Sequence, residues 1–218
     1  MRSDTWAAFA ATIAALAVFG CASVDNPADL ERATAEAMRS SFRDQGQATT
    51  DRLTQADAVD RACSTADAEG KPLDEKTAQA LEQAQLASVP KPTDGRYLGD
   101  WKEGEKIAQS GRGLTWSDKA GESNGGNCYN CHQMAKQEIS FGTLGPSLYH
   151  YGKLRGVADP ASAGARPVVE YTWGKVWNAK AYNACSSMPR FGHAGILTEQ
   201  QVRDVMALLL DPQSPVNR

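Results

Sequence analysis

Five consecutive residues of this chain have the types and spacing that could bind a cofactor covalently: Cys128-Tyr129-Asn130-Cys131-His132. A C-x-x-C-H run is typical of c-type haem attachment. If the run is helical, both thiols lie on one face and can reach the two vinyl groups of one porphyrin edge. His132 follows on the same face, where its imidazole can bind the iron as proximal ligand. We therefore predict one covalent haem c, held by Cys128, Cys131 and His132.

The alternative interpretation of this run is a bare C-x-x-C redox or zinc site that happens to precede a histidine. A zinc site requires further Cys or His ligands. The chain contains no second C-x-x-C, and it has only three histidines. Haem attachment is therefore the favoured interpretation.

A turn rich in Gly and Pro follows the motif at residues 142–148. This composition predicts a rigid surface loop that could wrap the proximal side of the haem, although a plain turn would have the same composition. A proximal imidazole needs a hydrogen-bond acceptor to fix its orientation. Backbone carbonyls near Pro146 could accept that bond from His132.

The second axial ligand of the iron has five candidates: Met134, Met188, Met206, His150 and His193. Met134 is too close to His132 in sequence to reach the opposite face, and Met206 has the spacing of a core residue. Met188 lies in a loop stiffened by Pro189, and a thioether is the common partner of His on c-type haem. We predict Met188 as the ligand, with His193 as the alternative. A methionine exposed on a loop would also account for residue 188.

Three basic residues could meet the haem propionates or a partner protein: Lys153, Arg155 and Arg190. Basic side chains pair well with carboxylates through charge-assisted hydrogen bonds. A solvated surface is the alternative, and we favour it for Lys153.

The chain has 218 residues, 41% of them hydrophobic, and a net charge of −3. These values suit one globular domain with extra segments, and the mild acidity argues against nucleic-acid binding. Residues 1–22 resemble an export signal, because an uncharged core too short to span a bilayer precedes the small residues Gly20 and Ala22. Cleavage before Ser23 would release the chain into the periplasm. Alternatively, a lipoprotein box ends at Cys21, which would then carry a lipid anchor.

Residues 23–93 form a predicted helical extension, and residues 94–218 the predicted haem domain. Helix starts are indicated at Asn26-Pro27 and at Asp74. None of these helices is apolar enough to form its own core, so we expect the extension to pack against the haem domain or a partner, or else to be a flexible stalk. In the haem domain, Thr198 and Gln201 predict a capping box that starts the last helix.

A disulfide between Cys63 and Cys185 follows from counting the five cysteines. Cys21 leaves with the signal or is lipidated, and two more cysteines hold the haem. The remaining two would lie in an oxidising compartment, where thiols tend to pair. Two free thiols, or a bond from Cys63 to a partner, are the alternatives.

Three groups of residues carry a resemblance to a known family. They are residues 126–132 (Gly-Asn-Cys-Tyr-Asn-Cys-His), residues 142–148 with Tyr151-Gly152, and residues 185–192 (Cys-Ser-Ser-Met-Pro-Arg-Phe-Gly) with Ile196-Leu197-Thr198 and the ending 211–217 (Asp-Pro-Gln-Ser-Pro-Val-Asn). From about Asp94 to Arg218 the chain resembles a class I cytochrome c, and most closely the monohaem SoxX subunits of sulfur-oxidising SoxAX complexes. The resemblance implies an all-α class I cytochrome c fold, here with a helical N-terminal extension.

The resemblance also implies a function. In that family, the larger partner SoxA carries the catalytic haem in a heterodimer with SoxX. The complex joins thiosulfate oxidatively to a cysteine of the carrier SoxYZ and releases two electrons. SoxX accepts these electrons and passes them to a small periplasmic cytochrome, so no catalytic residue is expected in this chain. Two alternatives remain: a freestanding periplasmic electron carrier with the same haem site, and an interaction module with a structural C-x-x-C.

Overall fold

The computed structural model describes residues 26–218. The predicted export signal and the alternative lipid-attachment residue Cys21 lie outside this range. Within it the regular secondary structure is helical, apart from one isolated β-bridge between Gln45 and Ala48. None of the helices between residues 26 and 218 has the length and apolar character needed to cross a membrane. The predicted all-α fold class is confirmed.

Helix α1, Pro27–Ser41, belongs to a unit of its own that ends at Arg43. The helix starts where Asn26-Pro27 predicted it. The Asn26 side chain accepts a hydrogen bond of 3.1 Å from the Ala28 N–H. An N-cap of this kind satisfies one of the backbone donors that have no partner inside the helix.

The second unit comprises Asp44–Arg218. Its α-helices are α2 (Asp51–Thr54), α3 (Ala58–Ala68), α4 (Glu75–Ala87), α5 (Trp101–Gln109), α6 (Tyr151–Leu154), α7 (Arg166–Trp177) and α8 (Glu199–Leu210). Short 3₁₀ turns cover Cys128–Asn130, Ala163–Ala165 and Ala179–Ala181. The unit therefore includes residues 44–93 of the predicted extension together with the predicted haem domain.

Helices α5 and α8 form the main helix pair of this unit, and Gly104 lies where they meet. A Cβ atom at position 104 would lie 2.1 Å from the backbone oxygen of Asp204 and 3.1 Å from the Leu208 Cβ. Only glycine can occupy a position where two backbones approach this closely. This contact explains the glycine in the middle of a helix, where it otherwise lowers helix stability.

Helix α8 begins with the predicted capping box. The Thr198 hydroxyl accepts from the Gln201 N–H at 3.2 Å, and the Gln201 side chain accepts from the Thr198 N–H at 3.0 Å. The helix then contributes most of the core, and all of its apolar residues are buried: Val202, Val205, Met206, Ala207, Leu208, Leu209 and Leu210.

The C-terminal tail is tied to α6 by the side chain of Asn217. Its Oδ1 accepts from the Gly152 N–H at 2.9 Å, and its Nδ2 donates to the backbone oxygens of Leu209 and Asp211 at 3.0 Å. The His150 N–H also donates to the Val216 oxygen at 2.7 Å. These bonds fix residues 216–217 against α6 and the end of α8.

Candidate haem site

The C-x-x-C-H run forms a tight turn that directs its functional side chains toward one cavity. Asn127 has a left-handed conformation (φ 50°), and a 3₁₀ turn follows at Cys128–Asn130. The His132 N–H donates to the Cys128 oxygen at 2.9 Å, which continues the turn with the spacing of an α-helix. Cys128, Cys131 and His132 all line the same cavity, as the helical spacing predicted.

This cavity has a volume of about 710 Å³. Cofactor pockets usually measure roughly 300–1,000 Å³ and have mostly apolar walls. The walls here come from the motif, the 144–148 turn, α6, α7, the loop before α8, and α8 itself. Apolar side chains among them are Leu144, Leu148, Tyr151, Val176, Phe191, Leu197, Val205 and Leu209. A pocket of this size, with two thiols and an imidazole on one side, fits a covalently attached haem.

His132 is oriented by the backbone of the turn that follows the motif. Its Nδ1 lies 2.7 Å from the carbonyl oxygen of Pro146. Because a carbonyl can only accept, Nδ1 carries the proton and Nε2 is left free to bind a metal. The Gly145 N–H donates to the Cys131 oxygen at 2.8 Å, which holds this turn against the motif. The structure thus supplies the carbonyl acceptor that the sequence predicted near Pro146.

Gly145 packs directly against the imidazole, and its replacement should displace the ring. In the Gly145→Ala variant the added Cβ would lie 2.2 Å from Cε1 and 2.6 Å from Nδ1 of His132. We expect the His132–Pro146 hydrogen bond to break and the stability to fall by about 1–3 kcal/mol, as in other overpacked sites. Absorption and EPR spectra of the ferric protein should show a partial loss of the low-spin state. In the matched Gly164→Ala control the new Cβ meets nothing within 4 Å, and unchanged spectra are expected; equal spectra for both variants would contradict the proposed packing role.

Met188 lines the same cavity as His132, in the loop that precedes α8. Its side chain is half-buried. After Met188, the Gly192 N–H donates to the Trp177 oxygen at 3.1 Å and ties the loop to the end of α7, and within the loop the Met188 N–H donates to the Ser186 hydroxyl at 3.3 Å. A thioether in this position is available as the second axial ligand.

The other predicted ligand candidates occupy different environments. Met134 is fully buried and lines the cavity, but it belongs to the segment that carries His132. Met206 is fully buried in α8 and is not part of the wall. His150 has its Nε2 only 2.8 Å from the Arg218 oxygen, and His193 is exposed; neither lines the cavity.

Two cationic side chains line the cavity, Arg155 and Lys175. The Arg155 guanidinium lies 3.7 Å from the centre of the Tyr151 ring, a cation–π contact that fixes its position. Burial lowers the pKa of Lys175, and its Nζ donates to the Ala179 oxygen at 3.2 Å. Both residues can pair with carboxylates of a bound haem. Arg155 is among the residues predicted from the sequence and Lys175 is not, although Lys175 lies three and four residues after Thr172 and Tyr171, which line the cavity from the same helix.

The two other predicted cations have different surroundings. Arg190 is not part of the cavity wall; its guanidinium binds Asp57 at 2.6 Å and Asp60 at 3.2 Å. Two carboxylates of the predicted extension engage Arg190 away from the cavity wall, so the structure does not support its role toward the propionates, and contact with a partner stays a prediction. Lys153 lies at a separate cavity of about 360 Å³ beside Pro212.

The structure also bears on the redox and zinc interpretations of the C-x-x-C. Burial raises the pKa of the Cys128 thiol to about 12. Redox-active cysteines instead have a lowered pKa, because the thiolate is the reactive form. Among residues 26–218, no cluster of three or more His, Cys, Asp or Glu side chains is arranged to hold a metal ion. The environment thus favours thiols that are consumed by haem attachment.

The remaining two cysteines of the described range form a disulfide, Cys63–Cys185, with a Cα–Cα distance of 5.4 Å. This is the pairing predicted from the cysteine count. Cys185 belongs to the cavity wall, three residues before Met188. The bond therefore links α3 to the loop that carries the candidate ligand.

The fold and the site together define a c-type cytochrome. The family model for cytochrome c matches residues 102–211, and the chain belongs to this family. It therefore binds haem c covalently and transfers electrons. A relative from Aquifex aeolicus (strain VF5), described as an uncharacterised lipoprotein, is 37% identical over 133 residues. The similarity covers 61% of this chain and 59% of the relative, so the chain spans about three fifths of that relative's length.

Proposed function

We propose that this chain is the monohaem, electron-accepting subunit of a thiosulfate-oxidising complex of the SoxAX type. The observation that carries the proposal is the loop Cys185-Ser186-Ser187-Met188-Pro189-Arg190-Phe191-Gly192 on the cavity wall, together with the tail that ends in Ser-Pro-Val-Asn. These are the residues in which the chain resembles SoxX subunits more than cytochromes c in general. The C-x-x-C-H run alone would suit any member of the family.

The loop 185–192 and the tail 211–217, which carry the resemblance, both have structural roles near the cavity. Phe191 is buried, and Gly192 lies against Trp177, where a Cβ would come within 2.3 Å of the indole. Asn217 of the tail accepts a hydrogen bond from the Gly152 N–H, and Gly152 belongs to the Tyr151-Gly152 pair of the resemblance. The loop thus lines the haem cavity and carries Met188, while the tail holds α6, whose Tyr151 also lines the cavity.

The use of the cysteines supports a role in electron transfer and not in making the sulfur–sulfur bond. In residues 26–218, Cys63 and Cys185 are joined to each other, and Cys128 and Cys131 belong to the haem motif. This leaves no cysteine of the described range for thiosulfate chemistry or for a thiolate ligand. In the proposal, that chemistry takes place at the catalytic haem of a SoxA-type partner in a heterodimer.

The number of electrons that this chain would receive follows from the reaction proposed for its partner. Joining thiosulfate to the thiol of a SoxYZ-type carrier forms one sulfur–sulfur bond and releases one proton and two electrons. A single haem takes one electron at a time, so this chain would be reduced and reoxidised twice for each bond. The electrons would leave to a small periplasmic cytochrome. His132 and Met188 would hold the iron through both steps, so that little rearrangement of the protein would accompany each transfer.

Purification of the tagged chain from periplasm of thiosulfate-grown cells tests the proposal. We expect a larger haem protein to co-purify in equal amount, with one haem on this chain. Its haem should become reduced by thiosulfate only when that partner and the carrier protein are present. A matched Cys128→Ala/Cys131→Ala variant should carry no covalent haem on this chain, so thiosulfate should produce no signal of reduced haem from it. A haem-bearing chain that purifies alone and exchanges electrons equally well without a partner would instead establish a freestanding carrier.

We further propose that the chain works in the periplasm. Haem attachment and the Cys63–Cys185 disulfide both suit an oxidising compartment. The description of the Aquifex aeolicus relative as a lipoprotein supports the alternative in which Cys21 carries a lipid anchor. Mass spectrometry of the mature N-terminus distinguishes the two forms: a diacylglyceryl group on Cys21 marks the anchored protein, and a free Ser23 marks the released one.

A further inference from the structure

Residues 57–88, which comprise α3, α4 and their connection, pack on the loop that carries Met188. We call this segment the clasp. Val59 of the clasp is 1% exposed, and α4 packs against the 3₁₀ turn Ala179–Ala181. The Asn178 Nδ2 donates to the Gln85 side chain at 2.8 Å, and the Ala184 N–H donates to the Glu82 carboxylate at 3.0 Å. These contacts cover the beginning of the loop.

A charge cluster joins the clasp to the other end of the loop. The Arg190 guanidinium donates to Asp57 at 2.6 Å and to Asp60 at 3.2 Å, and Asp60 also pairs with Lys180. The two cationic side chains are 16% and 11% exposed and the carboxylates of Asp57 and Asp60 are 36% and 34% exposed, so water screens these pairs less than it screens pairs of fully exposed side chains. The two carboxylates balance the two cations.

The environment keeps Asp57 charged over a wide pH range. Partial burial opposes ionisation, but the Asp60 backbone N–H and the Arg190 guanidinium outweigh it and lower the pKa of Asp57 to about 2. Asp57 also caps α3, since its side chain accepts from the Asp60 N–H at 2.9 Å. The start of the clasp and its ion pair with the loop therefore depend on the same carboxylate.

The two tethers lie on either side of the candidate ligand. Cys185, three residues before Met188, is bonded to Cys63 of the clasp. Arg190, two residues after Met188, is held by Asp57 and Asp60. Between these points the loop residues 185–189 line the haem cavity. A loop fixed at both ends to one body loses most of its freedom to move the side chain between them.

From this geometry we infer that the clasp positions the Met188 thioether for the iron. Asp57 and Asp60 are positioning residues that act through Arg190, and Cys63 acts through Cys185. The inference rests on the proposed ligation by Met188. The clasp then also determines how readily an added ligand displaces the thioether. If the clasp is loosened, the Met188 thioether is in position for a smaller fraction of the time and competes less well for the iron.

The test uses the ferric holoprotein and imidazole as the competing ligand. In the Asp57→Asn/Asp60→Asn variant the two side chains lose their negative charges, so the ion pairs with Arg190 and Lys180 are lost. Asparagine can still cap a helix. We expect haem attachment to be retained, the far-red charge-transfer band of methionine-ligated haem to weaken, and the apparent Kd for imidazole to fall by about tenfold or more. Asp67→Asn is the matched control, since Asp67 is an exposed residue of the same helix; its Kd should not change.

A second variant tests the other tether. The Cys63→Ser/Cys185→Ser protein should show the same two changes, and the combination of both pairs of substitutions a larger one. Variants that only lose thermal stability, with the band and the imidazole Kd as in the native protein, would overturn the role of the clasp while the ligation by Met188 stands. A native protein without the far-red band would overturn the ligation itself, and with it the inference.

Discussion

The His132→Ala variant is expected to lose the low-spin haem spectrum and more than about 100-fold of its electron-transfer rate. Changes around a metal ligand already cost roughly 10–100-fold in metal affinity or activity, and this change removes the ligand itself. Cys128 and Cys131 are untouched, so the haem should remain covalently attached. EPR and absorption spectra of the ferric protein, with stopped-flow reduction by a small chemical donor, measure both effects.

The control for this experiment is His150→Ala. The His150 ring binds the Arg218 oxygen and does not line the cavity, so the haem spectrum should be unchanged. Added imidazole should restore the low-spin state of His132→Ala. It can enter the space left by the histidine ring and donate to the Pro146 carbonyl, which accepts from the His132 Nδ1 in the native protein. A low-spin His132→Ala protein without added imidazole would show that His132 is not the proximal ligand.

The Met188→Ala variant is expected to lower the reduction potential while the covalent haem is kept. A thioether favours ferrous iron, and its replacement by water or by a histidine such as His193 does not. Axial ligands span about 0.8 V of haem potential, and we expect a fall on the order of a tenth to a few tenths of a volt. Potentiometric titration measures it, and the far-red band should disappear at the same time.

Met206→Leu is the matched control for the loss of a thioether. Met206 is fully buried in α8 and outside the cavity wall, and exchange of Met for Leu usually costs less than about 1.5 kcal/mol. Its potential should equal that of the native protein. If Met188→Ala also keeps the native potential, Met188 is not the axial ligand.

The parts of the fold that follow from short stretches of sequence could be predicted. Thr198 and Gln201 specify the start of α8 through their own side chains, and Asp74 caps α4 by accepting from the Thr77 N–H at 3.0 Å. These signals act over one or two turns, so they can be read without knowing what packs on the helix.

The motif of the candidate site could be predicted for the same reason, but its surroundings could not. The Pro146 carbonyl that binds His132 lies only 14 positions after it along the chain. Arg190, by contrast, finds its carboxylates at Asp57 and Asp60, more than a hundred positions earlier. A single charged residue in a loop leaves no periodic pattern that identifies such a partner.

The position of the disulfide has a consequence for the maturation of the chain. Cys63 and Cys185 are separated by 122 positions, and both haem cysteines lie between them. A chain that is exported from its N-terminus presents Cys63 first, then Cys128 and Cys131, and only then Cys185. Any bond formed before the last of these emerges is a wrong one that must be exchanged. Haem that is attached before Cys185 emerges would consume the two inner thiols and act as a protecting group, which leaves Cys63 with Cys185 as its partner among residues 26–218.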